Sequence, residues 1–324
     1  MQQLHERSEK NRLILESDTE IWNLIRKIEM NKKDRIYYGI LKLFVRLLGF
    51  VPRKAGRTFA KIIGHLWFAA DKRHRTVTIE NISYAFAGEM KKVQARILAK
   101  KVFSHFILFA FEVAWYLRVD LDDFHNHFEI KGFENLKNAY SKNRGIIFLT
   151  GHIGVWELAT FFKGKTGIPA NIVYRPIRFI ALNQFINDTR LRFGGHVFPV
   201  KKALAHVKKA LAHKEALFLL MDQSTKSKKG SVVNFMNRKT FANKGIAMLA
   251  MESGAPVVPL FIVRGKSKYL IIIKPEIPLA SAETEEENIE INTQNYTSAI
   301  EDIVRKYPDQ YFWLHNRWKY QPGS

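Results

Sequence analysis

The chain has 324 residues, 47% of them hydrophobic, which excludes a mainly disordered protein and is enough for one large domain or two small ones. It contains no cysteine, which excludes a disulfide framework, a thiolate metal site and a cysteine nucleophile, and leaves the redox compartment undetermined. Fifty-two Lys and Arg against thirty Asp and Glu give a net charge of +22, so an anionic partner is expected: nucleic acid, a membrane surface or an acidic protein.

Residues 1–34 read as a polar N-terminal extension carrying both signs of charge, without the apolar centre and small-residue cleavage site of a signal peptide. The bulk of the chain is therefore expected in the cytoplasm. Within the extension, Leu13, Ile14, Ile21, Leu24, Ile25 and Ile28 have the spacing of a short amphipathic helix, to which no function attaches. Residues 35–54, "RIYYGILKLFVRLLGFVPRK", fall short of the ~20 apolar residues a spanning helix needs, and Lys42 and Arg46 interrupt them on one helical face. With Tyr37, Tyr38 and Phe50 near the ends and Arg53 and Lys54 after the proline, this stretch predicts a membrane-associating helix in the headgroup plane. The competing reading is an amphipathic core helix. Residues 55–324 make up the remaining domain.

Val102–Leu117, "VFSHFILFAFEVAWYL", continues a helix begun at "KKVQARILAKK" and is either core or membrane-contacting. From Gly145 the pattern changes to short β-like runs, "GIIFLT", "ANIVY", "ALFLLM", "PVVPLFIV" and "YLIIIKP", separated by helical segments at 178–193, 201–213 and 242–253. Such alternation predicts an α/β fold, a mixed sheet flanked by helices. The acidic run "ETEEEN" at 283–288 reads as a solvated loop before a last helix, and "YFWLHNRWK" at the end as a terminal strand packed on the sheet, so that His315 is structural. His105, His125 and His127 lack companions at metal-ligand spacing, and no metal is expected.

In "IIFLTGHIGVWELATFF" a buried strand breaks at Gly151 and restarts as an apolar helix, with His152 and Glu157 set among greasy neighbours. On one regular helix two residues at this spacing would point about 140° apart. If His152 instead ends the strand and Glu157 opens the helix, the turn between them can fold the side chains together. A His held by a carboxylate is oriented and made more basic, which suits a general base acting on a hydroxyl. Taken alone, such a pair is more often a satisfied buried His beside a helix-start Glu.

The motif "HIGVWE" resembles that of the late acyltransferases of lipid A biosynthesis, within the wider lysophospholipid acyltransferase group marked by His, four residues, then Asp or Glu. The resemblance continues through "KRHRTVTIENISYAF" (72–86), "IVYRP" (172–176), "TRLRFGG" (189–195), "LLMDQSTKSKKGSVV" (219–233), "MLAMESGAPVVP" (248–259) and "YPDQYFWLHNRWK" (307–319), covering nearly everything after residue 35. The chain departs from it in a less hydrophobic anchor and in the residues after Asp222. The resemblance implies a glycerolipid acyltransferase-like fold and, without cofactor, transfer of a fatty acyl chain from an acyl carrier protein thioester to a hydroxyl of a lipid A precursor. It places the enzyme at the cytoplasmic face of the bacterial inner membrane. On this reading His152 is the base, Glu157 its orienter, and Arg190 a candidate donor to the oxyanion, beside backbone amides near Gly151 or a bound water. Arg175, Arg192, Asp222 and Gln223 become substrate-binding candidates, Asp222 being expected to fix an arginine or the loop.

With no cysteine and no Gly-x-Ser-x-Gly motif, direct attack without a covalent acyl-enzyme is the simpler scheme. Another membrane glycolipid or a lysophospholipid is the alternative acceptor. A non-catalytic membrane scaffold would require no clustering of His152, Glu157 and Arg190. Nucleic-acid binding is not expected, because "KKALAHVKKALAHK" has apolar residues at helical spacing and no stacking aromatics. Lys201, Lys202, Lys208, Lys209, Lys226, Lys228 and Lys229 are left to face another anion: the acidic carrier protein, lipid headgroups, or only solvent.

Overall fold

The computed structural model describes residues 30–119, 124–161, 166–192 and 195–322, so the amphipathic pattern at 13–28 lies outside the described residues. The chain divides into two compact units, one of Met1–Phe44 with Pro176–Asp188 and one of Val45–Arg175 with Thr189–Ser324. Four helices come first: α1 (Lys32–Leu48), α2 (Arg53–Ala70), α3 (Lys72–Ala85) and α4 (Lys92–Tyr116). No helix among the described residues is long and apolar enough to cross a membrane.

The second unit is built on a seven-stranded mixed sheet in the order β1-β9-β8-β2-β5-β3-β4. Its strands are β1 (Phe128–Lys131), β2 (Ile146–Thr150), β3 (Ala170–Tyr174), β4 (Gly195–Pro199), β5 (Ala216–Leu220), β8 (Val257–Arg264) and β9 (Tyr269–Ile273). All neighbours are parallel except the antiparallel β8–β9 pair. Every residue of β2 is buried, as continuous apolar runs require when helices cover both faces of a parallel sheet. The remaining α-helices of eight or more residues are α5 (Phe133–Tyr140), α6 (Ile180–Arg192), α7 (Ala203–Ala212), α8 (Gly245–Ser253) and α9 (Glu285–Lys306). The mixed sheet flanked by helices is the fold class expected from the sequence.

Val102–Leu117 turns out to be mostly core. In α4 Val102, Phe103, Phe111, Ala114 and Trp115 are buried, and the small residues Gly56, Ala60 and Gly64 on the buried side of α2 let the two helices pack closely. The polar residues within that apolar run form a network. Arg264 of β8 grips Glu112 through Nε and Nη2 at 2.6 and 2.5 Å, Tyr269 donates to the same carboxylate at 2.7 Å, and Arg264 Nη1 lies 3.1 Å from His105 Nδ1. A carboxylate so deeply buried is tolerable only because a cation and a hydroxyl replace its water.

Three local expectations change. The acidic run at 283–288 is the start of α9 rather than a loop: Thr284 caps the helix, accepting from Glu287 N at 3.2 Å while the Glu287 carboxylate accepts from Thr284 N at 3.1 Å. Carboxylates at a helix start also meet the positive end of its dipole. A hairpin of β6 (Gly230–Phe235) and β7 (Arg238–Asn243) appears where no strand was expected, closed at Met236 and Asn237 with φ of 53° and 59°. Both central residues are left-handed, as a two-residue hairpin turn demands. The C-terminal aromatic segment is not a strand but a chain of turns, with an isolated bridge between Tyr311 and Ile153. Asn81 of α3 holds it from the other side, its Nδ2 donating to the carbonyls of Trp313 at 2.8 Å and His315 at 2.7 Å.

Candidate active site

The site gathers where parallel strands β2 and β5 end. Their pairing runs from Ile146 opposite Ala216 to Thr150 opposite Leu220. Parallel strands in register advance together, so residues two beyond each end, His152 and Asp222, emerge side by side. His152 Nδ1 lies 2.9 Å from Asp222 Oδ1.

The segment 151–155 is pinned at nearly every residue. Ile153 N donates to Gly151 O, Gly154 N to Gln310 O, Val155 N to Ile262 O, and Phe312 N to the His152 carbonyl. Gly154 sits at φ +63°, and a Cβ there would come within 2.0 Å of the Ile262 carbonyl, so the motif needs glycine. The chain then enters a 3-10 helix, Trp156–Phe161, where an α-helix was expected. Trp156 packs edge-on to the His152 ring at 5.2 Å and stacks on Phe109 at 4.4 Å, while Phe312 lies 5.8 Å from the imidazole. Aromatic walls thus fix the ring plane while its side chain remains 23% exposed.

Glu157 takes a different partner from the one expected. Its carboxylate accepts from Arg190 Nε at 2.8 Å and Arg190 Nη2 at 2.6 Å, a two-pronged ion pair, and from Trp156 Nε1 at 3.2 Å. The carboxylate bonded to His152 is Asp222. Glu157 and Arg190 are nonetheless near enough for their charges to act on the imidazole. Arg190, in the last turn of α6, also lies with its guanidinium 5.9 Å from the Tyr174 ring at the end of β3.

Burial opposes a charge on His152, yet the Asp222 carboxylate overrides it and raises its pKa above the ordinary histidine value. Burial likewise favours the neutral form of Asp222, and the facing imidazole overcomes it, with help from Arg317, leaving the carboxyl below its usual range. Arg317 is a buried cation that donates to the Phe241 carbonyl at 3.1 Å and lies 5.0 Å from the Phe235 ring. The Tyr311 hydroxyl donates to the Asp222 carbonyl at 3.3 Å. His315 accepts from Ser224 N through Nε2 at 3.2 Å, and burial lowers its pKa, so it is a neutral bracing group, in keeping with the structural role expected for it.

Of the expected site residues, His152, Glu157, Arg190 and Asp222 come together, whereas Arg175, Arg192 and Gln223 are exposed at the ends of β3, α6 and β5. Asn81, Tyr311 and Arg317 were not singled out from the sequence. Among the described residues no group of three or more His, Asp and Glu side chains could hold a metal ion.

The family model described as bacterial lipid A biosynthesis acyltransferase matches residues 26–320. The chain is 26% identical over 261 residues to the lipid A biosynthesis palmitoleoyltransferase of Escherichia coli strain K12, covering 78% of this chain and 80% of that protein. It is 30% identical over 203 residues to the lipid A biosynthesis lauroyltransferase of the same organism, covering 60% and 62%. Among solved structures, the 1-acyl-sn-glycerophosphate acyltransferase PlsC from Thermotoga maritima is a remote likeness, with TM-score 0.35 and 14% identity over 79% of this chain and 99% of that one. A family model matched over residues 26–320, most of the chain, means that this chain belongs to the bacterial lipid A biosynthesis acyltransferases.

Proposed function

We propose that the protein transfers a fatty acyl chain from an acyl carrier protein thioester to a hydroxyl of a lipid A precursor, with His152 as general base and no covalent acyl-enzyme. The observation that carries this reading is the His152 imidazole, held through Nδ1 by a carboxylate and walled by aromatics, beside the Arg190 guanidinium. The acceptor hydroxyl gives its proton to His152 Nε2 as its oxygen bonds to the thioester carbon. The carbon–sulfur bond then breaks and the departing thiolate takes that proton from the imidazolium. Arg190 and amides near Gly151 are the candidates to meet the negative charge on the carbonyl oxygen, where one donor typically contributes ~3–4 kcal/mol.

The reading includes work at the cytoplasmic face of the inner membrane. In its support, α1 exposes Ile36, Ile40, Leu43, Phe44 and Leu47 on one helical face, and α2 exposes Phe59, Ile62, Ile63 and Leu66 at the same kind of spacing. Lys54, Arg57 and Lys61 lie on α2 as well, a composition that suits an anionic bilayer surface. For the carrier protein, the exposed Lys226, Lys228 and Lys229 come a few residues after Asp222, whereas Lys208 is paired with Glu252 at 2.5 Å. A basic rim beside the site would speed encounter with an acidic carrier and lose that effect in salt.

The test is to incubate purified protein with carrier proteins bearing ten- to sixteen-carbon chains and a panel of lipid A precursors, and to identify products by mass spectrometry. An acylated precursor formed from the carrier-bound donor, and absent with His152→Ala, is expected. Transfer only to other glycolipids or lysophospholipids would overturn the acceptor, and transfer only from acyl-coenzyme A the donor.

A further inference from the structure

We propose that the buried cluster of His105, Glu112, Arg264 and Gln310 positions the His152 loop by clamping Gly154, with Gln310 as the residue that ties the loop to strand β8. The proposal rests on His152 being the base.

The cluster is costly to bury and takes no part in the acyl-transfer scheme. Glu112, His105 and Gln310 are all buried. A buried ion pair is often no more stabilising than apolar side chains of the same volume, so fold stability by itself does not account for it.

Arg264 is its centre. The guanidinium is taken up by Glu112 and His105. The backbone is taken up by Gln310: Arg264 N donates to Gln310 Oε1 at 2.8 Å, and Gln310 Nε2 donates to the Arg264 carbonyl at 3.0 Å. A primary amide suits this double contact because it carries a donor and an acceptor side by side. β8 pairs with β2 only as far as Pro259, so its edge is open beyond that point, and the Gln310 side chain pairs with its last residue much as a neighbouring strand would.

What the clamp holds is the motif loop. The Gln310 carbonyl accepts from Gly154 N at 2.9 Å, and two residues further on Phe312 N donates to the His152 carbonyl at 3.0 Å. Fixing Gln310 to β8 therefore fixes the backbone contacts on both sides of Ile153. The same open edge takes Val155 N onto the Ile262 carbonyl at 2.8 Å. His105 comes to Gly154 from α4. Its Nδ1 faces the Arg264 guanidinium, which can only donate, so the neutral ring carries its proton on Nε2. That Nε2 makes no full hydrogen bond among the described residues, yet the Gly154 backbone is near enough to act on the ring. Burial, reinforced by the Arg264 charge, keeps the imidazole neutral. A loop held in this way gives His152 one position, and a displacement of about 1 Å at a reacting group can cost ~10²-fold in rate.

The experiment compares wild type with Gln310→Met, which keeps the length and removes both polar atoms, and His105→Phe, which keeps a ring and removes the acceptor. Each is measured by steady-state kinetics with carrier-bound donor, by a melting curve, and by the ¹⁵N resonances of labelled histidine. Gln310→Met is expected to lower kcat ~10²-fold with KM unchanged and to shift the His152 Nδ1 resonance, because a displaced ring loses its place on Asp222. His105→Phe is expected to act in the same direction to a smaller extent. A cluster that only stabilises the fold would lower the melting temperature and leave both kcat and the His152 resonance unmoved in the folded variants, and that result overturns the proposal. So does a loss of kcat with the His152 resonance unmoved. One measurement needs no variant and stands if neither folds: in wild type the His105 ring is expected neutral as the Nε2–H tautomer wherever the protein is folded, and an Nδ1–H tautomer or a charged ring overturns the clamp. Near-normal turnover in His152→Ala would remove the base and not the clamp, whose effect on the His152 resonance is read independently of rate.

Discussion

Arg190 holds Glu157 with two hydrogen bonds, from Nε at 2.8 Å and Nη2 at 2.6 Å, and both side chains are only 14% exposed. In so sheltered a place the geometry of the fork matters, since a lysine could offer one contact but not two. Arg190→Lys is expected to reduce kcat ~10²-fold or more, in the range of losing one oxyanion donor. Steady-state kinetics beside a melting curve separates this from unfolding. Unchanged kinetics in a folded variant would make Arg190 a structural ion-pair residue.

His152→Ala is expected to abolish most turnover, ~10²–10⁴-fold, while the protein remains folded, because the loop is held by its backbone bonds and not by the imidazole. Product formation by mass spectrometry and circular dichroism of the same sample check both halves. Near-normal activity would remove His152 from the chemistry.

The pH dependence is set by the signs of the two shifts. His152 must be neutral to accept a proton, and its pKa lies above 6.5, so kcat/KM is expected to climb with pH through that raised value. Stability runs the other way. The charge on His152 stabilises the fold fully below its unfolded pKa of about 6.5, and this is lost as pH rises through the higher folded value. Asp222, with its pKa depressed, stabilises above its unfolded value of about 3.9, and that is lost as pH falls through the lower folded value. The pair thus contributes most between about pH 4 and 6.5. Urea midpoints across pH for wild type and Asp222→Asn measure it. A difference between them that does not vary with pH would contradict the coupling.

Glu112→Ala leaves Arg264 and the Tyr269 hydroxyl without their shared partner in the core. Breaking a buried ion pair from one side typically costs ~3–5 kcal/mol, and a correspondingly lower urea midpoint is expected. Glu112→Ala with the wild-type midpoint would mean water replaces the carboxylate at no cost.

Membrane association is expected to weaken when charge is placed on either exposed apolar face, with Ile40→Glu and Leu43→Glu on α1 or Ile62→Glu and Leu66→Glu on α2. Sedimentation with anionic liposomes reads the bound fraction. Wild-type binding by both double variants would place the contact elsewhere.

The sequence by itself determined the layers and most of the sheet. The runs "GIIFLT", "ALFLLM" and "PVVPLFIV" are apolar throughout because strands buried on both faces have no polar side, and they became the central strands β2, β5 and β8. It also marked His152 and Glu157, polar residues set into an apolar run, while Arg190 and Asp222 stood out only through the resemblance of their segments to a family motif. It could not pair them. Spacing along the chain joins His152 to the nearest carboxylate in the same motif, because local spacing is all a sequence displays. Which strand lies beside β2, and in what register, is decided by how the whole sheet packs. That choice set Thr150 opposite Leu220, carried Asp222 to His152 across seventy residues, and left Glu157 to the arginine arriving from α6. Arg317 was invisible for the same reason: a terminal arginine looks solvated until the fold closes over it and fixes the anion it must face.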